Sequence, residues 1–204
     1  MRILLVEDRP ENLEEAKKYF SQRPELHIEY ARDYKEAMTG LEAQPEGLIC
    51  DLFFPEETGT GRKVVGQQLY LKVDEDLKDV VWCTKYEDLD KLMKDVCFDK
   101  DEAKQPLGVL VVEEAHKRGM PYVITSSLHA AHGSSATPVA FYLIGKGLLE
   151  DEYAVIESGG YGLKTYELDA RVEDAPNPEY HRKRQIKGSY VWDVAVKRLF
   201  AKNK

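Results

Sequence analysis

Short apolar runs alternate with segments of helical periodicity over the first 55 residues of the chain. The predicted strands cover about 2–6, 26–30 and 47–50. Between them, apolar residues recur every three or four positions, which predicts helices over about 10–21 and 33–43. Strands that alternate with helices of this length indicate a parallel sheet with right-handed crossovers. The pattern therefore predicts an α/β fold.

The alternation stops after the third strand and resumes at Pro106. Residues 56–105 begin with turn-forming residues and carry an apolar stripe of helical spacing over about 86–96. Because this stripe must be covered, we expect an inserted subdomain beside the end of the third strand rather than a disordered linker. After Pro106 the pattern predicts a helix over 107–118 and a fourth strand over 122–125.

The last third of the chain leaves the fifth strand open between two segments. The apolar run 139–144 fits either the fifth strand or the helix before it, and 153–156 is a competing fifth strand. We expect 147–189 to form an irregular extension, because Pro176 and its neighbours are typical of irregular structure. Apolar positions over 190–202 have helical spacing and predict a final helix that packs on the sheet.

Charge argues against one class of partner. The 204 residues carry a net charge of -8, so no basic surplus exists to neutralise the phosphates of a nucleic acid. The basic run 181–187 is the local exception, and we interpret it as a solvated loop that balances a nearby acidic stretch. We expect no nucleic-acid partner.

Cysteine usage and apolar run lengths predict the compartment. The three cysteines are widely spaced and form no C-x-x-C pair, so zinc-finger and thioredoxin chemistry are unsupported. The N-terminus enters a strand directly, without the layout of a signal peptide. No apolar run approaches the ~20 residues that a membrane span needs. We expect a single cytoplasmic domain, 1–204, without a membrane partner.

Three carboxylates follow two of the predicted strands. Glu7 and Asp8 come directly after the first strand, and Asp51 follows the third. Ligands of open parallel sheets bind at the carboxyl ends of the strands, and a pocket rich in carboxylate oxygens suits a divalent cation such as Mg²⁺. Asp51 could also act as a nucleophile toward phosphorus. In the alternative interpretation, Asp8 only caps the helix that follows it.

These segments resemble the receiver domain of response regulators, a flavodoxin-like fold of two-component signal transduction that includes the chemotaxis regulators. The matching stretches are I-L-L-V-E-D at 3–8, L-I-C-D-L-F-F-P at 48–55 and P-Y-V-I-T-S at 121–126. In pieces, the resemblance covers about 1–55 and 106–146, roughly half of the chain. It implies a doubly wound five-stranded parallel sheet of the order 2-1-3-4-5. The inserted subdomain after the acceptor strand makes the chain atypical.

The resemblance assigns a metal site and a phosphorylation site to the acidic residues. In the family, an acidic pair after strand 1 and an aspartate after strand 3 hold Mg²⁺. Glu7, Asp8 and Asp51 are therefore expected to bind Mg²⁺, with Mn²⁺ as a substitute. The family's second aspartate accepts a phosphoryl group from a histidine kinase or a phosphotransfer protein, which makes Asp51 the expected phospho-acceptor.

The resemblance also implies a hydroxyl and a lysine that contact the phosphoryl group. The family's hydroxyl follows strand 4, where Ser126 stands with Thr125 beside it, although both could be ordinary turn formers. Lys146 comes twenty residues after Ser126, close to the family's spacing for the lysine after strand 5. However, Gly147 stands where the family has a proline, and no lysine fills this place if strand 5 is 153–156.

Two functional hypotheses follow, from different classes. In the first, the chain is a phosphoprotein that signals through a downstream protein partner or a homodimer contact, with at most self-phosphorylation and dephosphorylation as activity. In the second, it is a non-phosphorylated pseudo-receiver, a protein-binding module whose surface or lid is 56–105. A Mg²⁺-dependent phosphohydrolase is disfavoured, because Phe53 stands where a second acid would be expected.

Overall fold

The structure is a computed structural model that describes residues 1–55, 106–127, 136–150, 154–157 and 187–202. The predicted insertion 56–105 lies outside these residues, as does most of the predicted extension 147–189. Among the described residues, no helix combines the length and apolar character that a membrane crossing requires.

Four strands of five residues form a parallel sheet, in the spatial order β2-β1-β3-β4. They are β1 (Arg2–Val6), β2 (His27–Ala31), β3 (Gly47–Asp51) and β4 (Tyr122–Ser126). A two-residue segment, Ile156–Glu157, pairs in parallel with the end of β4 on its free side. The predicted α/β class and the order 2-1-3-4 are therefore confirmed, whereas only these two described residues stand in the place of a fifth strand.

The described helices cover both faces of this sheet. They are α1 (Pro10–Phe20), α2 (Tyr34–Glu42), α3 (Gly108–Lys117), α4 (Ala136–Gly145) and α5 (Ser189–Lys202). Pro10 is the first residue of α1, where its preset φ is favourable. The Asp33 side chain accepts a hydrogen bond from the Glu36 backbone N–H at 2.8 Å, so Asp33 caps α2 as predicted.

Two hydrophobic cores lie on opposite faces of the sheet. Leu4 and Val6 of β1 belong to the core that α2, α3 and α4 cover, whereas Ile3 and Leu5 belong to the core that α1 and α5 cover. Because both faces are buried, the central strands are apolar throughout instead of alternating with polar residues. Trp192 of α5 is the largest of the fully buried side chains in the described residues.

The apolar run 139–144 belongs to α4, which settles the alternative left open by the sequence. Gly147 has a φ of 69°, a conformation that glycine adopts without strain, and it follows the end of the helix. The Leu148 N–H donates to the Leu143 carbonyl at 2.8 Å, a hydrogen bond typical of a helix C-terminus. The segment that pairs with β4 is Ile156–Glu157, which shares only Ile156 with the competing strand 153–156, because Ala154 and Val155 are not in a strand.

Candidate functional site at the carboxyl edge of the sheet

The candidate site lies where β1, β3 and β4 end at the same edge of the sheet. Register pairs Asp51 of β3 with Thr125 of β4, and Val6 of β1 with Cys50 of β3. Glu7 follows Val6 directly, and its backbone N–H continues the pairing of β1 with β2 by donating to the Ala31 carbonyl at 2.9 Å. The parallel topology thus brings Glu7, Asp51 and Thr125 together, although they are far apart in the chain.

A buried lysine joins these three side chains. Lys187 lies just before α5, and none of its surface is exposed. Its ammonium Nζ lies 2.5 Å from Glu7 Oε2 and 2.8 Å from Asp51 Oδ1. A third contact of 3.0 Å joins the same Nζ to Thr125 Oγ1. We call these four residues, Glu7, Asp51, Thr125 and Lys187, the site cluster.

Asp8 adds a third carboxylate to this edge. Glu7, Asp8 and Asp51 each offer one oxygen, and the three oxygens lie within 4.8 Å of one another. Such an all-oxygen donor set fits a hard cation, so the group could hold a metal ion. The N-cap residue of α1 is Arg9 rather than Asp8, and the Arg9 side chain makes no capping hydrogen bond. Asp8 therefore precedes the N-cap position of α1.

The charges of this edge do not balance. Among the described residues, three carboxylates face the Lys187 ammonium, which leaves a formal charge of about -2 when all four groups are ionised. Burial raises the pKa of Asp51 to about 7, since the ionised form loses its hydration. The positive charge of Lys187 lowers the pKa of Asp51, while the negative charges of Glu7 and Asp8 raise it. A bound cation would relieve this excess of negative charge.

The lysine itself stays protonated. Burial lowers the pKa of Lys187, but the charges of Asp51 and Glu7 and their hydrogen bonds outweigh that effect, so the net shift is upward. Lys187 is therefore a permanent buried cation.

Among the described residues, Lys187 rather than Lys146 is the lysine that contacts Asp51. Lys146 follows α4 and is exposed, and its Nζ lies 5.5 Å from the centre of the Tyr142 ring. Lys146 falls outside the site cluster because the run before it is a helix, which ends away from the strand edge. The interpretation of 181–187 as a solvated loop is wrong for its last residue, because Lys187 is fully buried.

The sequence held a signal that could have found Lys187. In the receiver family a lysine follows strand 5, and the spacing of twenty residues from Ser126 favoured Lys146. With strand 5 at 153–156, the whole connection up to the final helix is the relevant segment, and Lys187 lies at its end.

The two predicted hydroxyl residues are both buried at the end of β4. Thr125 is the one that contacts Lys187, whereas Ser126 is the last residue of the strand. Ser127 follows, and its Oγ accepts a hydrogen bond from Asn12 Nδ2 at 3.2 Å. The hydroxyls thus lie at the predicted edge, with Thr125 inside the site cluster.

A glycine holds the end of β3 against a helix. The Gly108 N–H, at the start of α3, donates to the Leu52 carbonyl at 3.1 Å. A Cβ atom on Gly108 would lie 2.2 Å from the Asp51 carbonyl oxygen, a distance that no side chain tolerates. Only glycine allows α3 to begin this close to Asp51, so the backbone of Asp51 is confined by sheet and helix together.

Comparison of this chain with protein-family models, with curated proteins and with solved structures finds no match. Function is therefore inferred from the chemistry of the site.

Proposed function

We propose that this chain is a receiver-like signalling protein in which Asp51 accepts a phosphoryl group with the help of Mg²⁺. The convergence of Asp51, Glu7, Thr125 and Lys187 at one strand edge carries this proposal. Receiver domains, which the chain resembles, have an acidic pair after strand 1, an aspartate after strand 3, a hydroxyl after strand 4 and a lysine after strand 5. Lys187 follows Ile156–Glu157 in the chain and precedes the final helix, which agrees with the family's order.

The proposal extends the fold to the family's five-stranded sheet, of order 2-1-3-4-5. In this extension, Ile156–Glu157 is part of the fifth strand, and Lys187 belongs to the connection from that strand to α5. An insertion in this connection explains why the lysine is so distant from the strand in sequence.

Glu7, Asp8 and Asp51 would hold the metal ion through their clustered oxygens. When bound, Mg²⁺, or Mn²⁺ in its place, neutralises charge between the acceptor and the incoming phosphate. The excess of carboxylates over ammonium groups at this edge supports a divalent cation rather than a monovalent one.

In the proposed reaction, an Asp51 carboxylate oxygen forms a bond to phosphorus. The bond from phosphorus to the nitrogen of a partner's phosphohistidine breaks, and that nitrogen keeps the electron pair. Lys187 already donates to Asp51 and Thr125, so its ammonium can donate to a phosphoryl oxygen attached to Asp51. The Thr125 hydroxyl accepts from Lys187 and keeps its own proton for a second donation.

A histidine kinase or a phosphotransfer protein would supply the phosphoryl group, and a downstream protein would receive the signal by contact. Acetyl phosphate with Mg²⁺ tests the first step without the natural donor. Intact-mass measurement should show one added phosphoryl group that base removes and that Asp51→Asn lacks. Asp193→Asn is the matched control, because Asp193 is as deeply buried as Asp51 but lies in α5.

The second candidate is the pseudo-receiver, a protein-binding module without phosphorylation. One observation favours it: Lys187 already forms ion pairs with both Glu7 and Asp51, and the Asp51 side chain is only 5% exposed, so little of it is accessible to a phosphodonor. In this case the lysine acts as a built-in structural cation. A folded wild-type sample that binds Mg²⁺ but gains no phosphoryl group would decide for this candidate.

A further inference from the structure

Asn12 is a fully buried polar residue beside the site cluster that the proposed reaction does not use. It lies in the first turns of α1. Its side-chain Oδ1 accepts a hydrogen bond from the backbone N–H of Lys187 at 2.9 Å. Its Nδ2 donates to Ser127 Oγ at 3.2 Å. One amide group therefore joins α1, the segment before α5 and the loop that follows β4.

The hydrogen bond to Lys187 is made to its backbone, where the long side chain begins. A lysine side chain has a flexible stem of four carbons, so the position of its ammonium depends on where the backbone is held. The backbone of Lys187 is anchored to Asn12, and the ammonium is anchored to Glu7, Asp51 and Thr125. With both ends held, the side chain has little freedom to leave the site.

We propose that Asn12 is a positioning residue, which holds the backbone of Lys187 in register with the loop after β4 and so directs the ammonium to Asp51. Its importance for reading a phosphoryl group rests on the proposed function. Ser127 directly follows Thr125 and Ser126 of β4, which carry the hydroxyl side of the site, and Lys187 carries the cationic side. A displacement of either one is transmitted to the other through the same amide.

The first test measures the hydrogen-exchange rate of the Lys187 backbone amide by NMR, in the full-length protein without any phosphodonor. Asn12→Ala should speed exchange at the Lys187 amide by about tenfold, because the acceptor of that N–H is lost. Asn12→Asp keeps an acceptor oxygen and should restore slow exchange. Glu14→Ala, an exposed change on the same helix, is the matched control. Unchanged exchange of Lys187 in Asn12→Ala would overturn the proposal.

The second test separates positioning of the ammonium from general stability. Lys187→Met removes the ammonium but keeps the backbone N–H that donates to Asn12. If Lys187 competes with Mg²⁺ for Glu7 and Asp51, Asn12→Ala should tighten Mg²⁺ binding about threefold, the effect of one weakened hydrogen bond. In the Lys187→Met background, Asn12→Ala should change Mg²⁺ affinity no further.

Calorimetric titration gives the Mg²⁺ affinity in both backgrounds. Trp192 fluorescence reports the ammonium where Lys187 is present, since the Lys187 Nζ lies 5.9 Å from the centre of the Trp192 ring. The chain has two tryptophans, so a Trp82→Phe background leaves Trp192 fluorescence alone. Equal effects of Asn12→Ala in both backgrounds would show a merely structural role and overturn the proposal. Failure of the wild type to accept phosphate would overturn the proposed function instead, because neither test of Asn12 requires a phosphodonor.

Discussion

Two buried polar clusters flank the start of α5, and they differ in how their charges are balanced. The site cluster surrounds Lys187, while a second group, the helix cluster, joins α1 to α5 around Asp193 and consists of Tyr19, Arg23, Asp193 and Lys197. Asp193 is buried, but the side chains of Arg23 and Lys197 are 41% and 44% exposed. Water therefore reaches the cations of the helix cluster.

In the helix cluster, one carboxylate is paired with a hydroxyl donor and two cations. Asp193 Oδ1 accepts from the Tyr19 hydroxyl at 2.9 Å and from Arg23 at 3.0 Å, and Lys197 lies 2.7 Å from Oδ2. Burial and the charge of Asp193 raise the pKa of Tyr19, so its hydroxyl remains a donor. This arrangement fastens two helices together and has no excess negative charge that a further ligand must neutralise.

In the part of the chain that the structure describes, the site cluster has the opposite balance, because its carboxylates outnumber the buried Lys187 ammonium. Burial of a charged group is costly unless an opposite charge compensates it, so a buried cluster with excess negative charge does not stabilise the fold. A carboxylate with a raised pKa beside other charged groups, such as Asp51, is instead typical of functional sites. The comparison shows that burial of a carboxylate alone does not mark a functional site, whereas an excess of carboxylates over cations among the described residues of one buried cluster does.

Removing the buried lysine should have the largest effect. Lys187→Met leaves Glu7 and Asp51 without their cation, so in EDTA the free energy of unfolding should fall by about 3 kcal/mol. Mg²⁺ should restore part of this loss, because it replaces the missing positive charge. Urea unfolding with EDTA and with Mg²⁺ measures both effects. A loss in Lys187→Met below that of Lys197→Met would contradict the contrast between the clusters.

The pH dependence of stability in EDTA should also depend on the site cluster. The pKa of Asp51 is raised from 3.8 to about 7, so the folded protein binds a proton more tightly than the unfolded chain. Stability from this group is present below about pH 4 and is lost as the pH rises through 7. Asp51→Asn should remove this loss, because asparagine does not ionise. At pH 8 its free energy of unfolding should exceed that of the wild type by on the order of 2 kcal/mol, and the difference should shrink toward pH 5.

Urea unfolding at several pH values tests this expectation, with Asp193→Asn as the control. Asp193 has cations beside it that reach solvent, so its replacement should not produce a variant more stable than the wild type at pH 8. The difference in unfolding free energy between Asp51→Asn and the wild type should be larger at pH 8 than at pH 5. An equal difference at the two pH values would contradict the raised pKa of Asp51.

Mg²⁺ affinity should also distinguish the two clusters, with a smaller change in free energy. Asp8→Asn removes one of the three clustered carboxylates and should weaken Mg²⁺ binding by about tenfold or more. Loss of a residue that only supports a metal ligand already weakens binding by about tenfold, and loss of a ligand should cost at least as much. Asp193→Asn should leave Mg²⁺ affinity unchanged. Calorimetric titration measures the dissociation constants. Equal affinities in the wild type and an Asp8→Asn/Asp51→Asn double variant would remove the metal site.

The sequence predicted the parts of the site that depend on local pattern. The run 3–6 is buried on both faces, and such a strand followed by Glu7 places a carboxylate at the sheet edge without further information. The same reasoning applies to Asp51. The class of the fold followed from the alternation of strands and helices, because parallel strands need helical crossovers.

Lys187 could not be found in this way, because its position is set by tertiary contacts rather than by periodicity. Its sequence neighbours form a basic run, which is typical of a solvated surface, yet its ammonium lies among buried oxygens. Asn12 was missed for the same reason: a polar residue in the first turns of a helix has no local signal for a partner 175 residues away. The predicted subdomain 56–105 stays a prediction.

The smallest effect should come from the lysine of the helix cluster. Lys197→Met removes an ion pair with Asp193 that is spaced four residues along α5, and the lysine side chain is 44% exposed. Exposed pairs of this kind contribute little, so the free energy of unfolding should change by about 0.5 kcal/mol or less. Tyr19 and Arg23 still satisfy Asp193 Oδ1 in this variant. The same substitution at Lys187 and Lys197 thus compares two lysines that both contact buried carboxylates, and urea unfolding under identical conditions gives the ratio. A large loss from Lys197→Met would contradict the proposed contrast between the two clusters.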